Sequence, residues 1–207
     1  MFKYDTFRKV IVFLMHDAIL AHVQNYISLS KEEREAFLAV LTLLEVPKKQ
    51  RIVEPGSYIQ NEYFVVKGCL KGYYLDDNGD KHIIQFAIEN WWIGDFDAFY
   101  NHVPSKLHVE AIEDATLLAI SYDDLERLFL TIPKFERYFR ILVTGAFISL
   151  RGRILSTLQK STKERYLEFC RTYPNIEQRV ANYDIANYLG VSAESLSRIR
   201  RQMVISP

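Results

Sequence analysis

Cysteine is scarce: among 207 residues only Cys69 and Cys170 carry thiols. They stand far apart, without CxxC spacing or a Cys/His cluster, so the chain offers no metal-ligand set. The same shortage argues against an iron–sulfur cluster, which is normally held by four ligands. Two reduced, buried thiols in a cytosolic protein are the expectation. Long apolar runs are also lacking. The stretch from Val10 to Met15 is far shorter than the ~18 residues a membrane span needs. No small-residue cleavage site follows an apolar segment within residues 1–15, which argues against a signal peptide. A cytoplasmic protein with no membrane partner is expected. Net charge is absent too, with 26 Lys/Arg against 26 Asp/Glu, and by itself this speaks weakly against nucleic acid.

The composition otherwise suits a soluble globular protein, at 49% hydrophobic and 25% charged residues. The length allows one large domain or two small ones. The charge is unevenly distributed. From Arg151 onward ten Lys/Arg face five Asp/Glu, so a surplus of five positive charges sits there and five negative ones sit upstream. A basic C-terminal part on an acidic remainder is what a phosphate-contacting segment produces, although chance clustering on solvated helices gives the same count.

Residues 16–44 read as helix, with Ser30 and Glu33 forming a capping box and Phe37, Leu38, Leu41 and Leu44 on one face. The character changes at Pro47. Short β-rich runs punctuated by glycine continue from Val46 to Ser121, and the sequence DDNGD at 76–80 reads as a hairpin turn. This is the pattern of a sandwich or roll. Helix returns at Asp123–Thr131, and a longer one runs from Pro133 to about Leu158. On it Tyr138, Ile141, Gly145, Ile148, Gly152 and Leu155 recur at alternating three- and four-residue spacing, a coiled-coil-like seam. Glycine weakens a helix, so its repetition on the seam suggests a partner helix approaching closely; packing on the chain's own domain is the alternative. A second capping box, Ser161 with Glu164, opens a helix that ends near Tyr173-Pro174.

The segment YDIANYLGVSAESLSRIRRQM, Tyr183–Met203, has the layout of a helix-turn-helix. Asp184–Leu189 forms a first helix, with Ala186 small enough for a close helix crossing. Gly190 supplies the left-handed turn, Val191 an apolar plug, and Ser192 the N-cap of a second helix. Leu196, Ile199 and Met203 face inward; Ala193, Glu194, Ser197, Arg198 and Arg201 face outward. Arginine in the first turns of such a helix can grip guanine, and glutamate can accept from cytosine. Arg200 and Arg201 are better placed toward phosphates. Glu194 and Arg198, four apart, could instead form a surface ion pair worth a few tenths of a kcal/mol.

With roll, long helix and helix-turn-helix in this order, nearly the whole chain resembles the Crp-Fnr superfamily. YFVVKGCLKGYYLDDNGDKHIIQF is similar to its cyclic-nucleotide-binding roll, and IANYLGVSAESLSRIRR resembles its DNA-reading motif. The resemblance implies an α+β fold. It divides the chain into a sensor domain (1–132) made of helix and cyclic-nucleotide-binding-like β-roll, a dimerisation helix (133–158), and an all-α helix-turn-helix domain (159–207). It also implies a homodimer on a two-fold symmetric operator, with double-stranded DNA as partner and RNA polymerase as a candidate one. Ser192 and Ala193 join Glu194, Ser197, Arg198, Arg200 and Arg201 as DNA-binding candidates.

Three departures from the family pattern qualify this. Gly94-Asp95 keeps the start of the family's phosphate-binding cassette, but its later Arg-Ser positions hold Ser105 and Lys106. Without the arginine fork a bidentate phosphate grip is lost, so cyclic AMP is disfavoured. Gly94, Asp95, Ser105 and Lys106 stay as candidates for a pocket holding an unidentified small-molecule effector. Ala193 stands where the catabolite activator has a base-contacting arginine, so a different DNA sequence should be read. The residues after the recognition helix are too few for the family's usual wing, so a full wing is not expected and some backbone contacts are in doubt. The alternative is a purely structural roll, with regulation by abundance or a partner.

No enzyme is expected. His102 and His108 flank the cassette without an accompanying nucleophile, carboxylate dyad or metal-ligand spacing. Trp91, Trp92, Phe96, Phe99 and Tyr100 could line an apolar pocket, but core packing is their more usual role.

Overall fold

The computed structural model describes residues 15–205, with side chains as far as 203. Helix α1 (15–24) and α2 (Lys31–Ala39) precede eight strands: β1 (Thr42–Val46), β2 (Arg51–Val53), β3 (Asn61–Lys67), β4 (Leu70–Leu75), β5 (Lys81–Ala87), β6 (Trp92–Ile93), β7 (His108–Ala111) and β8 (Ala115–Ser121). A short helix, α3 (Phe96–Asn101), lies between β6 and β7. Helices α4 (Tyr122–Thr131), α5 (Lys134–Gln159), α6 (Thr162–Thr172), α7 (Ile176–Arg179), α8 (Asn182–Leu189) and α9 (Ala193–Ile205) complete the chain.

The strands form two antiparallel four-stranded sheets, in the orders β1-β8-β3-β6 and β2-β7-β4-β5. Phe64, Leu70, Val109, Leu117 and Ile120 of the two sheets belong to one buried core, which α1, α4 and the start of α5 close through Ile19, Leu125 and Phe135. Tyr138 fixes α5 to this body. Its hydroxyl takes the Trp92 indole N–H at 3.0 Å and meets His22 Nδ1 at 2.9 Å, so the buried phenol is satisfied.

Residues 42–44 were expected to belong to the preceding helix, yet together with Glu45 and Val46 they form β1. Helix α2 stops at Val40, and Thr42 to Val46 pair in register with Ala119 to Ala115 of β8. The ladder with β8 pairs the backbone groups along one side of this edge strand, and this outweighs the helical spacing of Leu41 and Leu44. The expected capping boxes are present at Ser30/Glu33 and Ser161/Glu164. The 76–80 turn forms as read. Asp76 Oδ1 accepts from Asn78 and Asp80 N–H, both at 2.9 Å, and Gly79 takes the left-handed φ of +82°.

A second cluster joins roll to helices. Cys69, Tyr73, Ile83 and Phe86 project from the outer face of the second sheet and are covered by Tyr166, Phe169 and Tyr173 of the C-terminal part. An outer sheet face that could have met water is thereby buried against the helical domain.

Candidate nucleic-acid interface and roll cassette

Helix α8 ends at Gly190, whose φ of +66° turns the chain. The Val191 N–H returns to the Ala186 carbonyl at 3.0 Å, closing the C-terminal motif that left-handed glycine permits. Ala186 is buried where α8 meets α9, and Val191 is half-buried as the plug. Ser192 Oγ accepts from Ser195 N–H at 3.2 Å, the N-cap that starts α9. Leu196 is fully buried beneath α9.

The outward candidates divide into two groups. Ser192, Glu194, Arg198 and Arg201 are exposed along one side of α9. Among the described residues no ion pair joins Glu194 to Arg198, so both are left open to a ligand. Ser197 and Arg200 depart from expectation. Asn182 of α8 donates to Ser197 Oγ at 3.1 Å and to the Ala193 carbonyl at 3.1 Å, and it accepts from Arg200 at 3.2 Å. These residues lie on the flank facing α8, because the short polar Asn182 there offers both a donor and an acceptor. Ala193 is half-buried and lines a cleft of about 290 Å³ shared with Lys81 of the roll.

In the cassette the structure brings Gly94, Asp95 and Ser105 together but turns them inward. Asp95 is the N-cap of α3, accepting from Ala98 N–H at 3.3 Å. Its other oxygen accepts from Ser105 Oγ at 2.7 Å and from Lys106 N–H at 3.3 Å. Asp95 and Ser105 are buried; the Lys106 side chain is exposed. Under Gly94 lies Glu62 of β3, and a Cβ on residue 94 would run into its carboxyl group. Glu62 is 4% exposed, and burial, with Asp95 behind it, pushes it up to about 8. Sequence reading did not reach Glu62, because β3 and the cassette meet only through the sheet.

Both histidines have packing roles. His102 takes the left-handed cap of α3 against Tyr122, and His108 stacks on Tyr73 at 4.8 Å. Phe99 is core, whereas Phe96 and Tyr100 line a groove of about 640 Å³ with Phe129, Phe139 and Val143. Cys69 is buried and its thiol is pushed up to about 12 by that burial; burial also raises Cys170, to about 11. Neither is an activated thiolate. Among the described residues no group of three His, Cys, Asp or Glu is placed to hold a metal.

The expected seam splits along α5. Tyr138 is in the core and Ile141 is half-buried, while Phe147 and Ile148 are 65% and 63% exposed, and Leu155 and Leu158 are also exposed. Among the described residues, a Cβ on Gly145 or Gly152 would meet nothing within 4 Å. This helix is long and apolar enough to cross a membrane by length and composition, although Arg151 and Arg153 interrupt it.

A roll bearing a long apolar helix and a helix-turn-helix is the architecture of a DNA-binding regulator. Residues 43–131 match the family model of the cyclic nucleotide-binding domain. The chain is 28% identical over 170 residues to the regulatory protein HlyX of Actinobacillus pleuropneumoniae, covering 74% of this chain and 68% of that protein. It is 26% identical over 168 residues to the fumarate and nitrate reduction regulatory protein of Yersinia pestis, covering 74% and 65%. FixK2 from Bradyrhizobium japonicum shares its fold, with a TM-score of 0.70 at 22% identity over 80% of this chain and 85% of that one. The chain is thus similar in sequence to bacterial regulatory proteins of the HlyX and fumarate–nitrate type, and in fold to FixK2.

Proposed function

We propose that the chain acts in the cytoplasm as a homodimer. Its two recognition helices read a two-fold symmetric operator, and RNA polymerase is the further partner. The observation that carries this is the bare side of α9, where Glu194, Arg198 and Arg201 stand exposed on a helix capped by Ser192. Arg198 is the base-reading candidate and Arg201 the phosphate contact; Ser197 and Arg200 serve the motif through Asn182. The open glycines and exposed apolar side chains of α5 supply the dimer contact.

The roll takes no cyclic nucleotide at its cassette. Asp95 spends its oxygens on Ala98, Ser105 and Lys106, and a second carboxyl packs beneath Gly94, so a phosphate would meet acids rather than an arginine. Selection of bound duplexes from a random pool tests the main reading. Two-fold symmetric sites are expected, and Arg198→Ala should relax base preference at one position of each half-site. A uniform loss of affinity across sequences reassigns Arg198 to a phosphate, and selection of no common sequence removes the operator-reading function.

A further inference from the structure

Strand β5 lies at the edge of its sheet, so backbone groups along one side have no strand partner. Asn187 of α8 fills that vacancy at one point. Its Oδ1 accepts from the Ile83 N–H at 2.7 Å, and its Nδ2 donates to the Lys81 carbonyl. A carbonyl at residue i and an N–H at i+2 face the same way along a strand, so one primary amide pairs with both, as a neighbouring strand would. Around this point the two parts are also charge-paired. Lys71 of β4 meets Asp184 of α8 at 2.9 Å, both side chains being almost wholly buried. Burial pulls the Lys71 ammonium down, but Asp184 and Glu110 outweigh it and hold it above the usual lysine value. Arg179 binds Glu89 and Glu113 of the roll at 2.8 and 2.6 Å.

We infer that Asn187 is a positioning residue for DNA reading. It clips the first helix of the helix-turn-helix to the roll edge, and so fixes the direction in which α9 is presented. This rests on the operator-reading function proposed above. A packed apolar interface tolerates small slides; a two-point hydrogen bond to a strand edge does not, because both bonds depend on one register. In a dimer whose halves are joined through α5, the direction of each α9 sets the separation of the half-sites that both can reach. The side-chain hydrogen bonds of Asn187 go to the roll and not to the outward residues of α9, so its effect is geometric.

The test uses the full-length dimer and palindromic duplexes whose central spacer is the selected length, or one base pair shorter or longer. Wild type is expected to prefer one spacer by about tenfold or more, and Asn187→Ala to bring the three within about threefold while weakening the best, as loss of two half-buried hydrogen bonds implies. Asn187→Asp keeps the shape but sets an oxygen against the Lys81 carbonyl, and should behave like alanine. Arg198→Ala is the contrasting case: weaker binding at every spacer, with the ranking unchanged. Hydrogen exchange provides an arm without DNA, in which the Ile83 amide is protected in wild type and exchanges faster in both Asn187 variants while the inner strands stay protected. An unchanged spacer ranking, or unchanged exchange at Ile83, overturns the clip. A wild-type chain that binds no duplex overturns the operator-reading function and with it the positioning role, even where the exchange result holds.

Discussion

Glu62 and Asp95 are two carboxyl groups brought close beneath a glycine that leaves them room. The proton on Glu62 is held up to about 8 in the folded chain, against an ordinary value of 4.5. The folded state therefore binds a proton that the unfolded state has released across this interval. The stability associated with it is fully present below about pH 4.5, falls as pH rises, and is lost by about pH 8. Glu62→Gln removes the titration and keeps the shape. Its melting temperature should approach that of wild type at acid pH and draw progressively above it toward pH 8. A gap that stays constant with pH would show that Glu62 is not held protonated. The same melts with added cyclic AMP should show no shift, since any ligand that binds only the folded state raises its stability. At this scale Gly94-Asp95 was legible, because the cassette is continuous in sequence. Glu62 and Asn187 were not, since each acquires its partner through a contact between elements distant along the chain.

At the scale of elements, helix ends were read well because their signals are local: capping boxes at Ser30 and Ser161, the glycine turn at 190. Strand β1 was misread because Leu41 and Leu44 fit a helical face, and only pairing with β8 decides otherwise. Helix α5 shows both outcomes along one element. Its regular spacing was visible, but the sequence could not show that Tyr138 serves the roll while Ile148, Gly152 and Leu155 stay open. That division yields a prediction about the element. In Gly152→Leu the new Cβ meets nothing among the described residues and the helix gains propensity of about 0.5–1 kcal/mol, so a monomer should melt no lower. Where a second helix crosses at this point the same side chain overpacks the contact, at about 1–3 kcal/mol. Sedimentation equilibrium should then give a dimer dissociation constant raised about tenfold or more. An unchanged constant places the dimer contact elsewhere.

For the whole molecule, the division into roll and DNA-reading part is legible in composition but is bridged by packing. Phe86 belongs to both: it projects from β5, is fully buried, and meets Phe169, Tyr173 and Tyr188 of the helical part at 5.9, 5.9 and 5.4 Å between ring centres. Arg153 adds a third strand to this join, stacking on Tyr188 at 4.6 Å and donating to the Ile84 carbonyl, so α5, β5 and α8 meet at one place. Parts that share a core unfold together unless their common contacts are weak relative to the stability of either. Calorimetry of the full chain should accordingly show a single transition. Phe86→Ala removes a ring from the shared cluster, at about 3–5 kcal/mol. It should lower that transition and split it, because the helical part loses its cover while the roll keeps its own core cluster with Phe64, Leu70 and Leu117. Two separate transitions in wild type would mean that the outer sheet face is only loosely covered, and the direction of α9 would then be set by the α5 junction alone. A single wild-type transition that becomes two in the variant ties the direction of the recognition helix to the stability of the roll, so that whatever loosens the roll also loosens DNA reading.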